Sequence, residues 1–265
     1  MKLSQLCTFY KIKGVSRKEA LKKLKKKFKE INLVWDNGHQ KIFNTVYKME
    51  KQHGADWAIS DIHGCYKTFM ALLKKIGYNS EMNLYLLGDY IDRGRDSKKV
   101  LDWIMKHKCY PLLGNHDKML LDCQNDPKAE SFWIARNGGE ATLKSFGVNR
   151  LKDVDKKYIN FVKKLPACIK LKDFVLVHGG INFKRPNPFA ITDTNIEHMV
   201  WDRNGEEDTK VKMIVGHTPN GLKTIVKSLN SNKVKIDGGC AYGNYLVAFN
   251  LDSKSIVVQK NIEKD

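Results

Sequence analysis

The chain has 265 residues, a formal net charge of +18 and a pI near 9.5, which is room for one large α/β domain plus an appendage and points to acidic partners such as nucleic acid, anionic membrane or phosphorylated substrates. Six scattered cysteines without a C-x-x-C pair exclude a zinc ribbon and a disulfide framework. No signal-peptide run opens the sequence and no stretch approaches the roughly 18 apolar residues of a membrane span, so a soluble, cytoplasmic protein with reduced thiols is expected.

Basicity concentrates at the start: residues 1–52 carry 14 Lys/Arg against 4 Asp/Glu. Ser16 to Glu19 has the form of a helix capping box, and Ala20, Leu21, Leu24, Phe28 and Ile31 come after it at helical spacing with lysines between them. The spacing predicts a short basic amphipathic helix. Either its apolar stripe docks on the rest of the protein, or its lysines bind nucleic acid or an anionic membrane. Asn37-Gly38 and Gly54 punctuate the stretch beyond this helix, so residues 1–52 read as a helical extension and 53–265 as the main domain.

From there, short apolar runs end repeatedly in polar clusters. Trp57-Ala58-Ile59 leads to Ser60-Asp61-Ile62-His63-Gly64, Leu84 to Leu87 leads to Gly88-Asp89-Tyr90-Ile91-Asp92-Arg93-Gly94, and Pro111 to Leu113 leads to Gly114-Asn115-His116-Asp117. Thr68 to Ile76 and Ser97 to Lys106, lying between them, have helical spacing. This is βαβαβ order, in which chemistry gathers at the carboxyl ends of strands. The second half keeps the habit, before His178-Gly179-Gly180, Gly216-His217-Thr218-Pro219 and Asp237-Gly238-Gly239, with no regular helices expected between. An α/β fold of two packed sheets with helices outside is the result.

Oxygen and imidazole donors at neighbouring strand ends suit two divalent ions that clamp a phosphoryl group. Asp61 and His63, one residue apart, face the same way if the backbone is extended. Asp89, Asn115, His178 and His217 each come after an apolar run, beside a small residue. Burying six such groups at one edge without ions would be costly.

These segments resemble the phosphoprotein phosphatase family within the calcineurin-like metallophosphoesterases, whose signatures GDxHG, GDxxDRG and GNH[DE] stand here at Ser60–Gly64, Gly88–Gly94 and Gly114–Asp117. The likeness runs from about Trp57 to Leu251 and is nearest to compact phage-type and bacterial serine/threonine phosphatases, through His63 to Tyr66, Trp133 to Gly139, Val200 to Arg203 and Ile236 to Gly239. Two departures stand out. Ser60 replaces a glycine, a small change unless the backbone there needs positive φ. Asp117 replaces the glutamate of many protein phosphatases and matches symmetrical dinucleoside tetraphosphatases of the same family.

The resemblance implies two packed mixed β-sheets flanked by helices. It implies Asp61 and His63 on a first ion, Asp89 bridging, and Asn115, His178 and His217 on a second, the ions being Mn²⁺, Fe or Zn²⁺, with Mn²⁺ favoured in vitro. A hydroxide held by both ions would attack phosphorus. His116 would protonate the leaving group with Asp92 fixing its ring, and Arg93 and Arg203 would grip phosphoryl oxygens. Arg203 has a surface ion pair as its lesser alternative reading, and Asn137 reads as either a substrate-facing loop residue or an ordinary turn. The leading function is a protein serine/threonine phosphatase that also accepts phosphotyrosine, acting on a phosphorylated protein or small phosphoester. The alternative is a symmetrical dinucleoside tetraphosphate hydrolase, disfavoured by the short stretch of 38 residues between His178 and His217. A third reading, from another class, is a nucleic-acid or membrane binding protein acting through its basic N-terminus.

Overall fold

Alternation of side chains along strands that are apolar on both faces builds three layers of core here. The computed structural model describes residues 34–36, 39–41, 55–185, 187–190, 192–203 and 211–263. β1 (Val34–Asp36) and β2 (His39–Lys41) form an antiparallel pair of their own, and the basic helix expected over Ser16 to Ile31 lies outside the described residues.

One sheet contains β3 (Asp56–Ile59), β4 (Asn83–Leu86), β5 (Tyr110–Pro111), β10 (Tyr245–Asn250) and β11 (Ile256–Lys260), in the order β11-β10-β3-β4-β5. β3, β4 and β5 run parallel, while β10 is antiparallel to both neighbours. The other sheet has the order β6-β7-β8-β9, from β6 (Cys168–Lys170), β7 (Val175–Val177), β8 (Met213–Val215) and β9 (Lys233–Lys235), with β6 antiparallel and the rest parallel. Ala58, Tyr85, Val247 and Phe249 of the first sheet meet Ile169, Leu176, Ile214 and Val234 of the second in one buried cluster. The residues between them on the first sheet, Ile59, Leu84, Leu86 and Ala248, face helices instead.

Those helices are α1 (Tyr66–Lys75) and α2 (Ser97–Lys106), close to where the spacing placed them. Phe69 of α1 meets Trp103 of α2 edge to face, ring centroids 4.9 Å apart. Beyond them come α3 (Asn115–Asp122), α4 (Pro127–Asn137), α5 (Gly139–Phe146) and α6 (Lys156–Val162). The second half does contain helices, contrary to expectation: α7 (Asp193–Trp201) and α8 (Leu222–Ser228). They are short and bury few side chains each, so their periodicity is faint, although Thr192 caps α7 by accepting from the Asn195 N–H.

Among the described residues no helix is long and apolar enough to cross a membrane, and Cys65, Cys109, Cys123, Cys168 and Cys240 are all free thiols. Phe249 is fully buried between the sheets and 6.2 Å from the Phe174 ring. Phe249→Ala is expected to lower unfolding free energy by about 3–5 kcal/mol, measured by denaturant titration.

Candidate active site at the junction of the two sheets

Three parallel strands in each sheet point their carboxyl ends at one edge, and six polar clusters begin there: after Ile59, Leu86, Pro111, Val177, Val215 and Lys235. Hydrogen bonds tie the loops together at this edge, within the second sheet and between the two sheets. The Gly216 N–H donates to the His178 carbonyl at 2.9 Å, and the His217 N–H donates to both Asp61 carboxylate oxygens at 3.1 and 3.0 Å.

The loops approach one another backbone to backbone. A Cβ on Gly88 (φ +95°) would lie 2.5 Å from the Gly114 Cα, and one on Gly216 would fall on the Ser60 hydroxyl and the Asp61 carboxylate. Ser60 itself is not at positive φ, and its hydroxyl donates to Asp61. Asp61, His63, Asp89, Asp92, Arg93 and His217 all adopt positive φ; among the described non-glycine residues only Lys254 joins them. The extended backbone expected at Asp61 and His63 is therefore absent. Their N–H groups turn instead to the Gly88 and Asp89 carbonyls (3.2 and 2.8 Å), which aims the side chains by a left-handed turn and not by the strand pleat.

At the centre lies Asp89. Its Oδ1 accepts the His116 N–H (2.9 Å) at the start of α3, and its Oδ2 lies 3.4 Å from both His63 Nε2 and His178 Nε2. His63, Asp89 and His116 form one cluster of donor atoms within 4.8 Å of one another; Asp89, His178 and His217 form a second. The first differs from the expected trio by holding His116 in place of Asp61, whose oxygens are engaged by the His217 N–H and Ser60. Asn115 Oδ1 sits against His178 Nε2 (2.9 Å) and His217 Nδ1 (2.7 Å).

Tautomers are set from behind. His63 Nδ1 donates to the Ile91 carbonyl (2.8 Å) and His178 Nδ1 to the Leu87 carbonyl (2.7 Å), so each presents Nε2 to Asp89. Burial, with the His116 and Arg93 charges, lowers the His63 pKa to about 3, and burial with His178 and Arg203 does the same to His217. Burial disfavours charge on His178 as well, but Asp89 and Asp61 hold its pKa up to about 10. Burial pushes the Asp61 carboxyl up to about 6, with His178 opposing and Asp89 adding. Imidazole lone pairs and carboxylates at this spacing fit divalent Mn, Fe or Zn.

His116 Nδ1 donates to Asp92 Oδ2 at 2.7 Å, and the same carboxylate takes the Trp133 indole N–H (2.8 Å) and the Thr142 hydroxyl (2.6 Å). Asp117 accepts from the N–H groups of Asp89, Tyr90 and Gly114 at 2.8, 3.2 and 3.0 Å, locking the loops after β4 and β5 together. Burial and the Asp89 charge push its carboxyl up to about 7 against those donors. Trp133 and Thr142 carried no local signal of this duty, since α4 and α5 bring them to Asp92 from 41 and 50 residues away. Buried Asp237, which accepts the Gly239 N–H at 2.8 Å, was visible only as part of a segment.

Arg93 is solvent-exposed and lays its guanidinium on His63 Nε2 and His116 Nε2, the latter at 2.8 Å, with the Tyr242 ring 5.2 Å away. Behind it, the Arg93 N–H donates to the carbonyl of Gly138, whose left-handed conformation ends α4 after Asn137. The buried Asn137 Nδ2 has no hydrogen-bond partner. Arg203 lies just past the end of α7, its Nη1 3.4 Å from the His217 carbonyl and the Thr218 hydroxyl.

Two sheets whose parallel strands deliver clustered His, Asp and Asn side chains to one edge define a metal-dependent phosphoesterase. Residues 57–252 match the family model for calcineurin-like phosphoesterases, and the chain belongs to that family. It is 27% identical over 237 residues to the asymmetrical bis(5'-nucleosyl)-tetraphosphatase PrpE of Oceanobacillus iheyensis, covering 75% of this chain and 89% of that protein. It is 34% identical over 133 residues to the symmetrical bis(5'-nucleosyl)-tetraphosphatase of Neisseria gonorrhoeae, covering 48% and 44%. A cold-active protein tyrosine phosphatase has the same fold, with a TM-score of 0.53, 15% identity and coverage of 88% and 89%.

Thr142→Val leaves Asp92 buried with one donor fewer. The expected cost is about 1–3 kcal/mol of unfolding free energy, measured by denaturant titration.

Proposed function

We propose that this chain hydrolyses dinucleoside tetraphosphates at a centre of two divalent cations. Asp61 and His63 would hold one ion and Asn115, His178 and His217 the other, with Asp89 within reach of both groups. The position of Asp89 Oδ2, 3.4 Å from an Nε2 on either side, is the observation that carries the two-cation reading. When bound, the cation pair polarises the phosphoryl group and activates water for attack on it.

The protein's own groups do the rest. Arg93 and Arg203 bind phosphoryl oxygens from opposite ends of the cluster. Asp92, fixed by Trp133 and Thr142, holds the Nδ1–H of His116. With Arg93 turned from Nε2 to the phosphoryl group, the ring takes a second proton on Nε2 and gives it to the departing oxygen, with Asp92 balancing the imidazolium charge. Asn137 is the last residue of α4, immediately before Gly138, whose carbonyl accepts the Arg93 N–H.

Dinucleoside tetraphosphates take precedence over phosphoproteins as substrates because the relatives named for that activity align over three quarters of the chain, and because Asp117 is the residue that the resemblance to symmetrical dinucleoside tetraphosphatases implies at its position. A protein phosphatase is the second reading, favoured by the short His178 to His217 interval. With Mn²⁺ restored to chelator-treated enzyme, kcat/KM for diadenosine tetraphosphate is expected to exceed that for a phosphoserine peptide by about tenfold or more, and excess chelator to abolish both activities. Chromatography of the products separates cleavage into two ADP from cleavage into ATP and AMP. Preference for the phosphopeptide would reverse the assignment.

His116→Asn is expected to lower kcat on a phosphoserine peptide by about 10² to 10⁴. The loss should be smaller on p-nitrophenyl phosphate, because nitrophenolate leaves without a proton; equal losses would place His116 in phosphate binding instead. Cation binding must displace the His178 proton and, below about pH 6, the Asp61 proton as well. Calorimetric Mn²⁺ affinity is therefore expected to rise with pH, most steeply on the acid side of neutrality, and a pH-independent affinity would rule the displacement out.

A further inference from the structure

Among the described residues the exposed large aromatic side chains are Phe132, Trp201 and Tyr242. Two of these three touch the candidate site. The Tyr242 ring, 57% exposed, lies against the Arg93 guanidinium, and the Trp201 ring, 39% exposed, meets the His217 ring edge to face with centroids 5.9 Å apart. Contacts run unbroken between them: Tyr242 to Arg93, Arg93 to His63, His63 to Asp89, Asp89 to His178, and His178 to His217 (centroids 5.1 Å apart), then to Trp201. An exposed aromatic stands at each end of the row of candidate phosphoryl-binding and cation-binding groups.

Neither ring is on a loose loop. Tyr242 closes a 3₁₀ turn, Cys240–Tyr242, anchored by buried Cys240, whose carbonyl accepts the Asn261 amide at 2.8 Å. The preceding Gly239 N–H is held by Asp237. Trp201 is the last residue of α7, secured by buried Met199 and Val200, and the Met199 carbonyl accepts the Gly179 N–H at 2.7 Å beside His178. Exposing an aromatic ring forgoes the burial that would otherwise stabilise the fold. A ring fixed in that state beside a charged site offers a flat face to a planar ligand.

We infer that Tyr242 and Trp201 are stacking platforms for the two nucleobases of the substrate, one at each end of the phosphate chain. The assignment rests on the proposed dinucleoside tetraphosphate activity and makes these residues determinants of specificity. Arg93 covers one face of Tyr242, so a base stacks on the other, and the tetraphosphate runs between the platforms under Arg93 and Arg203.

The test uses the full-length, Mn²⁺-reconstituted enzyme and p-nitrophenyl phosphate as reporter, with diadenosine tetraphosphate and inorganic tetraphosphate as competitors. Tyr242→Ala and Trp201→Ala should each raise the inhibition constant of diadenosine tetraphosphate about fivefold or more relative to that of inorganic tetraphosphate. Tyr242→Phe and Trp201→Phe, which keep a ring, should stay within about twofold of the native enzyme. Equal weakening of both competitors, or no weakening of either, would overturn the inference. Product analysis keeps the two claims apart: if native enzyme binds diadenosine tetraphosphate with this pattern but does not cleave it, the stacking stands and the proposed activity falls.

Discussion

A buried carboxylate between two imidazoles is the interaction on which this site depends. Asp89 is 2% exposed, and burial alone would favour its protonation; His178 and His116 hold it instead well below the usual carboxylate range. That charge in turn raises Asp61 and Asp117 and keeps His178 protonated. The junction of the sheets is thus one electrostatic unit. Changing any member alters the cost of burying the others, and divalent cations would relieve the crowding of Asp61 and Asp89.

Such a unit needs loops held tightly in unusual conformations. Positive φ at Asp61, His63, Asp89, Asp92, Arg93 and His217 costs of the order of 1–3 kcal/mol at each residue and persists only where surroundings over-determine it. The surroundings here are specific: Asp117 collects three N–H groups from two loops, glycines at 88 and 114 let backbones meet where a Cβ would collide, and Gly216 leaves room for the Ser60 and Asp61 side chains. The core between the sheets provides the rigid base. Cross-sheet packing of Ala58, Tyr85 and Phe249 on Leu176 and Ile214 fixes how far apart the strand ends stand.

Around this fixed centre the groups that meet solvent are few and long. Arg93 and Arg203 reach the cluster from different elements, one from the loop after β4 and the other from the end of α7. On the proposed function, binding of an extended polyphosphate would draw on both halves of the chain, whereas the pair His116 and Asp92, proposed to handle the proton, belongs to the first half with its supports in α4 and α5.

Much of this was legible in the amino-acid order. Apolar runs of strand length ending in Asp, His and Asn announce a sheet with chemistry at its carboxyl edge, and helical spacing at Thr68 to Ile76 and Ser97 to Lys106 locates α1 and α2, because both signals are local and periodic. Helices α7 and α8 escaped, since nine and seven residues give too few turns for a clear apolar stripe. The sequence by itself determined the two-sheet α/β architecture, the phosphoesterase class and the set of polar residues gathered at the strand ends. Only the tertiary structure decided how those residues are aimed, through left-handed turns where an extended strand was expected, that Asp117 clamps two loops, and that Trp133, Thr142, Tyr242 and Trp201 stand at the site. Those contacts join residues tens to more than a hundred positions apart, and no local pattern encodes a hydrogen bond or a ring contact whose two ends meet only after both sheets have packed.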